Sequence, residues 1–175
     1  MEPSAARMAV ERINTLPRPE ALAAFKQCCG CVKYAEAMVE ARPFTSKMAM
    51  VIASDKIWKT CARAEILEAF LAHPKIGDKG AAAHGGKWAS GEQAGMDVAS
   101  DTTTSAMTKG NADYEAKMGF RYIVCATGKT AEEMLKLLQA RLSNAPEVEL
   151  AAGAAEQNKI THLRLEKLVV EQAKL

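Results

Sequence analysis

The sequence predicts an all-α protein: a single-domain bundle of about eight helices spanning residues 1–175. Three observations point there. Apolar residues make up 49% of the chain, yet aromatics make up only 5%. An interior of Ala, Leu, Ile, Val and Met suits closely packed helices better than a sheet, which favours β-branched and aromatic side chains. The apolar positions recur at helical spacing along most of the chain, and just one short stretch reads like a strand. At 175 residues the chain is long enough to enclose a substantial core.

Met8, Ile13 and Leu16 mark a first helix, which breaks at Pro17 and Pro19. A second is expected from Glu20 to about Cys29, stopped by Gly30, and a third from about Cys31 to Ala41, ended by Pro43. Two more follow, from Ser46 to Trp58 and from Ala62 to Ala72, the latter closed by Pro74. Residues 73–89, HPKIGDKGAAAHGGKWA, hold four glycines and no helical period. A loop of that length in a compact helical domain is usually functional or disordered, and it is the first place to look for chemistry. Ser90 and Gln93 then fit a capping box with Glu92 in the first turn, opening a helix to Lys117 with a break near residues 101–104.

Gly119 punctuates the chain before FRYIVCA at 120–126. With no partner strand in sight, this segment is expected to be a buried extended connector or a helical turn. Thr130 and Glu133 form another capping box for a helix through Leu142, and Pro146 opens a last helix running out near Leu175.

Composition excludes several function classes. The 23 basic and 21 acidic residues are interleaved, which leaves no nucleic-acid footprint. No apolar run reaches membrane-spanning length, and the N-terminus lacks a signal-peptide core, so a soluble intracellular protein is expected. Five cysteines, three of them crowded at Cys28, Cys29 and Cys31, read as buried reduced thiols, with Cys61 and Cys125 in similar company. Neither they nor the histidines show zinc-ligand spacing, so no metal is expected. Walker, dinucleotide and GxSxG motifs are absent, which leaves acid–base chemistry or binding without a visible cofactor. The final Ala173, Lys174 and Leu175 resemble a peroxisomal import address; a frayed helix end is the alternative.

Three residues stand out as chemistry. His73 lies where a helix ends, and Pro74 restricts its backbone to an extended form, presetting where the imidazole points. It reads either as a structural cation at a helix C-terminus or as a general acid or base. Glu92 is either a dipole-complementing carboxylate or a group that holds an imidazole or a substrate N–H. Arg164 shares a helical face with Ile160 and Glu156; it is either a snorkelling arginine or a fixed cation at a pocket rim. His84 and His162 are expected to face solvent.

The ordered set HPKIG at 73–77, WASGEQAG at 88–95, NADYEAKMGFRYIVCATGKT at 111–130 and AEQNKITHLRLEKL at 155–168 resembles the 2-oxo-4-hydroxy-4-carboxy-5-ureidoimidazoline (OHCU) decarboxylases. RPF at 42–44 fits the family's N-terminal half. The GEQ wording is most similar to the decarboxylase part of plant allantoin synthases, without the transthyretin-like domain fused to it there. The resemblance implies a cofactor-independent carboxy-lyase, usually a homodimer, that converts OHCU to (S)-allantoin after urate oxidase and hydroxyisourate hydrolase have acted. It implies catalytic roles for His73, Glu92 and Arg164, pocket positions at Pro74 and Ile160, and heterocycle recognition by the backbone of Val124, Cys125, Ala126 and Thr127. A serine used by some relatives falls on Ala89 here, with Ser90 only its neighbour, and an arginine found in some members falls on Thr127. The rival readings are a helical enzyme acting on a related ureide and a non-enzymatic helical binding module.

Overall fold

The computed structural model describes residues 4–78 and 87–175. Among these are eight helices of nine residues or more, one single-turn helix, and no strand. In chain order they are α1 (Ala5–Thr15), α2 (Arg18–Cys28), α3 (Val32–Glu40), α4 (Lys47–Lys59), α5 (Arg63–Leu71), α6 (Ala89–Glu92), α7 (Asp101–Met118), α8 (Ala131–Arg141) and α9 (Pro146–Ala173). The all-helical expectation holds. The chain divides into two compact units, Met1–Glu68 with Asn158–Leu175, and Ala69–Gln157.

Local chemistry sets the helix ends. Ser4, Ser46 and Ser100 cap α1, α4 and α7 by accepting from the backbone N–H three residues on. Each such cap contributes about 1 kcal/mol. Thr130 and Glu133 form the expected reciprocal box at α8. Helix α2 begins earlier than expected, at Arg18, because Pro19 falls in its first turn, where a missing N–H costs nothing. Cys31 caps α3, its Sγ accepting the N–H of Tyr34.

In the first unit, the RPF segment is a structural pin. Arg42 Nη1 donates to the carbonyls of Ile13 (3.0 Å) and Leu16 (2.8 Å), orphaned groups at the end of α1. Asn14 pairs with both the N–H (2.8 Å) and the C=O (2.9 Å) of Phe44. Phe44 then meets Phe25 edge-on, with ring centroids 6.1 Å apart. Cys28, Cys29 and Cys31 are buried in this unit, whereas Cys61 is half-exposed, a departure from the fully buried expectation. Burial pushes the Cys29 and Cys61 thiols up to about 12, which favours their protonated form.

The second unit packs around Phe70, Tyr114, Phe120 and Tyr122, whose rings meet at 5.1–6.1 Å between centroids. Gly110 lets α7 approach α8: a Cβ there would lie 2.7 Å from Leu138. Residues 120–126 are the buried extended connector anticipated from sequence. Side chains take the place of a partner strand for this backbone. Arg141 Nη1 donates to the Ile123 carbonyl (2.7 Å), the Cys125 N–H donates to Glu156 (2.8 Å), and Lys129 Nζ donates to the Cys125 carbonyl (2.7 Å).

Candidate active site

Helix α5 ends at Leu71 because Pro74 cannot continue it. The chain then turns, with the His73 N–H still donating to the Phe70 carbonyl. Arg121, at the start of the connector, donates through Nη1 to the carbonyls of Leu71 (3.2 Å) and His73. The main chain of His73 is thus held by an arginine on one side and a proline on the other. Its side chain is only 8% exposed, and Nε2 lies 2.7 Å from Oε1 of the fully buried Gln157 on α9. An amide oxygen only accepts, so Nε2 carries a proton in this arrangement.

The segment after the described part of the loop departs from the sequence expectation. No helix runs from Ser90 towards Lys117. A single turn, Ala89–Glu92, is followed by a 3-10 turn, Ala94–Met96, and α7 begins afresh at Asp101. Ser90 lies inside the first turn rather than at its cap, and Glu92 ends it, so no long-helix dipole acts on that carboxylate. Within the 3-10 turn, Gly95 lets the backbone of Lys129 come close: a Cβ there would sit 2.1 Å from the Lys129 carbonyl oxygen. Gln93 Oε1 accepts the Gly77 N–H (3.1 Å), tying this turn to the histidine loop. Ala89, where some relatives carry a serine, is buried.

Glu92 is half-buried. Burial raises the Cys125 thiol; Lys129 opposes this, while the Glu156 and Glu92 carboxylates add to it, so Glu92 acts electrostatically on the connector. Pro74, Val124, Cys125 and Ala126 are buried, whereas Thr127 is exposed. Both backbone groups of Cys125 are engaged internally, as described above.

Ile160 and Arg164 belong to the other unit. Arg164 is 4% exposed and donates through Nη1 to the Gln27 carbonyl (3.1 Å), which rules out the snorkelling arginine. His162 is half-buried against Asp55 (2.6 Å) rather than turned freely to solvent. His84 lies outside the described residues.

The structure therefore brings the segments of His73, Pro74, Glu92 and residues 124–127 together within one unit, through Arg121, Gln93, Gly95 and Glu156. A cleft of about 460 Å³ in the same unit is lined by Lys75, Ile76, Gly77, Asp78, Thr104, Thr108, Asn111 and Ala112, and does not include His73. Among the described residues, no group of three or more His, Cys, Asp or Glu is placed to hold a metal ion. Sequence reasoning missed Gln157, Arg121 and Gln93. The residue pair EQ at 156–157 was visible within the tail motif, but its partners lie far away in the chain.

Comparison with known proteins decides the family. The OHCU decarboxylase profile matches residues 14–166. The chain belongs to the OHCU decarboxylase family. It is 37% identical over 155 residues to the uric acid degradation bifunctional protein TTL of Arabidopsis thaliana, covering 86% of this chain and 48% of that protein. An OHCU decarboxylase of Xenopus laevis is 36% identical over 73 residues, 42% of either chain. The chain thus spans about half the length of the curated relatives it matches, or less. A solved OHCU decarboxylase, crystallised in the presence of (S)-allantoin, superposes with a TM-score of 0.75 at 34% identity, over 83% of this chain and 96% of that one. The (S)-allantoin synthase structure shares the fold, with a TM-score of 0.70 at 19% identity over 91% of this chain and 53% of that one.

Proposed function

We propose that this chain decarboxylates OHCU to (S)-allantoin and carbon dioxide. Family membership supports the reading. The observation that carries it is a buried histidine whose main chain and imidazole are both fixed in one unit.

The substrate brings its own electron sink. One ring carbon carries a carboxylate and a hydroxyl beside a C=N bond. As the C–COO⁻ bond breaks, its electron pair forms a C=C bond and the imine nitrogen takes up a proton. The resulting enol loses its O–H proton while the neighbouring carbon gains one on a single face, giving the (S) product. One proton is consumed per turnover, and no redox partner is needed.

In this reading His73 takes the hydroxyl proton and delivers one onward. Glu92 holds the imidazole or the ring and ureido N–H groups. Arg164 offers a planar fork to ring atoms gaining negative charge; gripping the departing carboxylate instead would stabilise the ground state and slow the reaction. Pro74, Ile160 and the backbone of residues 124–127 complete the contacts with the heterocycle. The test is His73→Ala, confirmed folded by far-UV circular dichroism. It is expected to return allantoin formation to the spontaneous rate, and an unchanged rate would overturn the assignment.

Three further readings rest on family and sequence. A homodimer is expected, and sedimentation at micromolar concentration tests it: a monomer would reject it. Functional coupling to urate oxidase and hydroxyisourate hydrolase predicts faster overall flux when the three are mixed. The peroxisomal reading of Ala173, Lys174 and Leu175 is supported by the exposure of Leu175. A fluorescent protein ending in these residues should enter peroxisomes, and a diffuse signal would reject it.

A further inference from the structure

We propose that Glu115 is a positioning residue for His73: it holds Arg121 and Lys75, the two cations on either side of the His73–Pro74 step, and through them fixes the main chain that carries the imidazole. The part His73 plays in the reaction rests on the decarboxylase reading; the clamp itself stands on geometry.

Three segments meet at one carboxylate. Glu115 Oε2 accepts from Lys75 Nζ at 2.7 Å, and Oε1 lies 3.6 Å from Arg121 Nε. Arg121 in turn donates through Nη1 to the Leu71 carbonyl at 3.2 Å and to the His73 carbonyl. The Leu71 carbonyl closes α5 and is one of those left without an intrahelical partner. One cation therefore grips the chain just before Pro74, and the other is rooted just after it.

Position and charge point to a carboxylate kept for its cations. Glu115 lies in the last turn of α7, the end of a helix whose dipole disfavours negative charge. Among the described residues, neither Lys75 nor Arg121 has another ion-pair partner. Arg121 Nε is buried without a hydrogen bond, so the carboxylate 3.6 Å away is what balances its charge. With Glu115 removed, Lys75, 40% exposed at its side chain, can swing into water. Arg121, 22% exposed, would keep an unbalanced charge and be drawn off the His73 carbonyl towards solvent. A displacement of about 1 Å at a reacting group can cost on the order of 100-fold in rate. Ion pairs this exposed contribute little to folding. Lost rate without lost stability is the signature.

Kinetics, hydrogen exchange and a double-mutant cycle test this together. Glu115→Ala should lower kcat roughly 10- to 100-fold, with KM changed less than about threefold. Its thermal midpoint should stay within about 4 °C of wild type. The His73 amide, which donates to the Phe70 carbonyl, should exchange with solvent at least about tenfold faster, while amides of α8 keep their protection. Arg121 alone of the two cations touches the His73 carbonyl, so adding Glu115→Ala to Arg121→Met should cost less than about threefold more. Wild-type kcat in Glu115→Ala, or losses that multiply in the double variant, would overturn the proposal. So would a fall of about 10 °C or more with faster exchange throughout the unit, the behaviour of a purely structural residue. Should Glu115→Ala fail to fold, Glu115→Gln keeps the shape, removes the charge and carries the same readouts. Faster His73 exchange in Glu115→Ala, beside wild-type protein that leaves OHCU decay unchanged, would reject the decarboxylase reading and leave the clamp standing.

Discussion

Removing the carboxylate of Glu149 is expected to destabilise the protein severely, by a route that also reaches the connector. Glu149 lies in the first turn of α9 with no solvent exposure. It accepts from the Tyr114 hydroxyl (2.5 Å), Arg141 Nε (2.8 Å) and Asn144 Nδ2 (2.6 Å). In Glu149→Ala, Arg141, 13% exposed at its side chain, keeps its charge without a counter-ion. Breaking a buried pair from one side costs about 3–5 kcal/mol. With a urea slope of about 2 kcal/mol per molar, the midpoint should fall on the order of 2 M. Glu149→Gln preserves shape and acceptor and should lose less, about 1.5–3 kcal/mol. The pair Glu149→Leu and Arg141→Met should recover at least about 2 kcal/mol relative to the sum of the singles. Activity should stay low in that double variant, because the Ile123 carbonyl has lost its donor. Urea unfolding followed by far-UV circular dichroism measures all of this. A cost below about 1 kcal/mol for Glu149→Ala, or strictly additive singles, would refute the reasoning.

Other perturbations have equally defined outcomes. Gly95→Ala forces a Cβ to 2.1 Å from the Lys129 carbonyl oxygen and should cost about 1–3 kcal/mol, because backbone must move. Gly91→Ala, with nothing within 4 Å, should stay within about 0.5 kcal/mol under the same denaturant titration. Arg164→Lys should lose on the order of 100-fold in kcat/KM while remaining folded, since an ammonium lacks the planar fork; near-normal kinetics would remove Arg164 from the site. The Asp55 carboxyl is held below its usual range: burial works against this, but Asn158, His162 and Lys59 together outweigh it. A lowered carboxylate contributes stability that is full above about pH 4, the unfolded value, and is lost as pH falls through the folded value. Asp55→Asn should therefore be less stable than wild type at pH 7 and converge with it in acid.

Local chemistry was readable from sequence, and distant pairing was not. Ser46, Thr130 and Pro146 mark helix starts in the sequence because such signals act over about three residues, whereas the Ser100 cap went unread behind the helix expected from Ser90. The 120–126 connector was readable as buried and extended, but the side chains that satisfy it come from Arg141 and Glu156. Gln157 stands 84 positions from His73, and no periodicity links them. The close approach at Gly95 was likewise invisible, because it answers to the backbone of Lys129, not to its own neighbours. Arg42 shows the reverse case: part of a motif by resemblance, it is explained by the carbonyls at the end of α1.

The central claim is tested most directly by generating OHCU in place from urate with urate oxidase and hydroxyisourate hydrolase, then following circular dichroism with and without this protein. The spontaneous decay is slow and yields racemic allantoin. The account predicts a rapid rise of the (S)-allantoin signal that depends on the protein and disappears in His73→Ala. Folded protein that leaves the decay slow and racemic would contradict it.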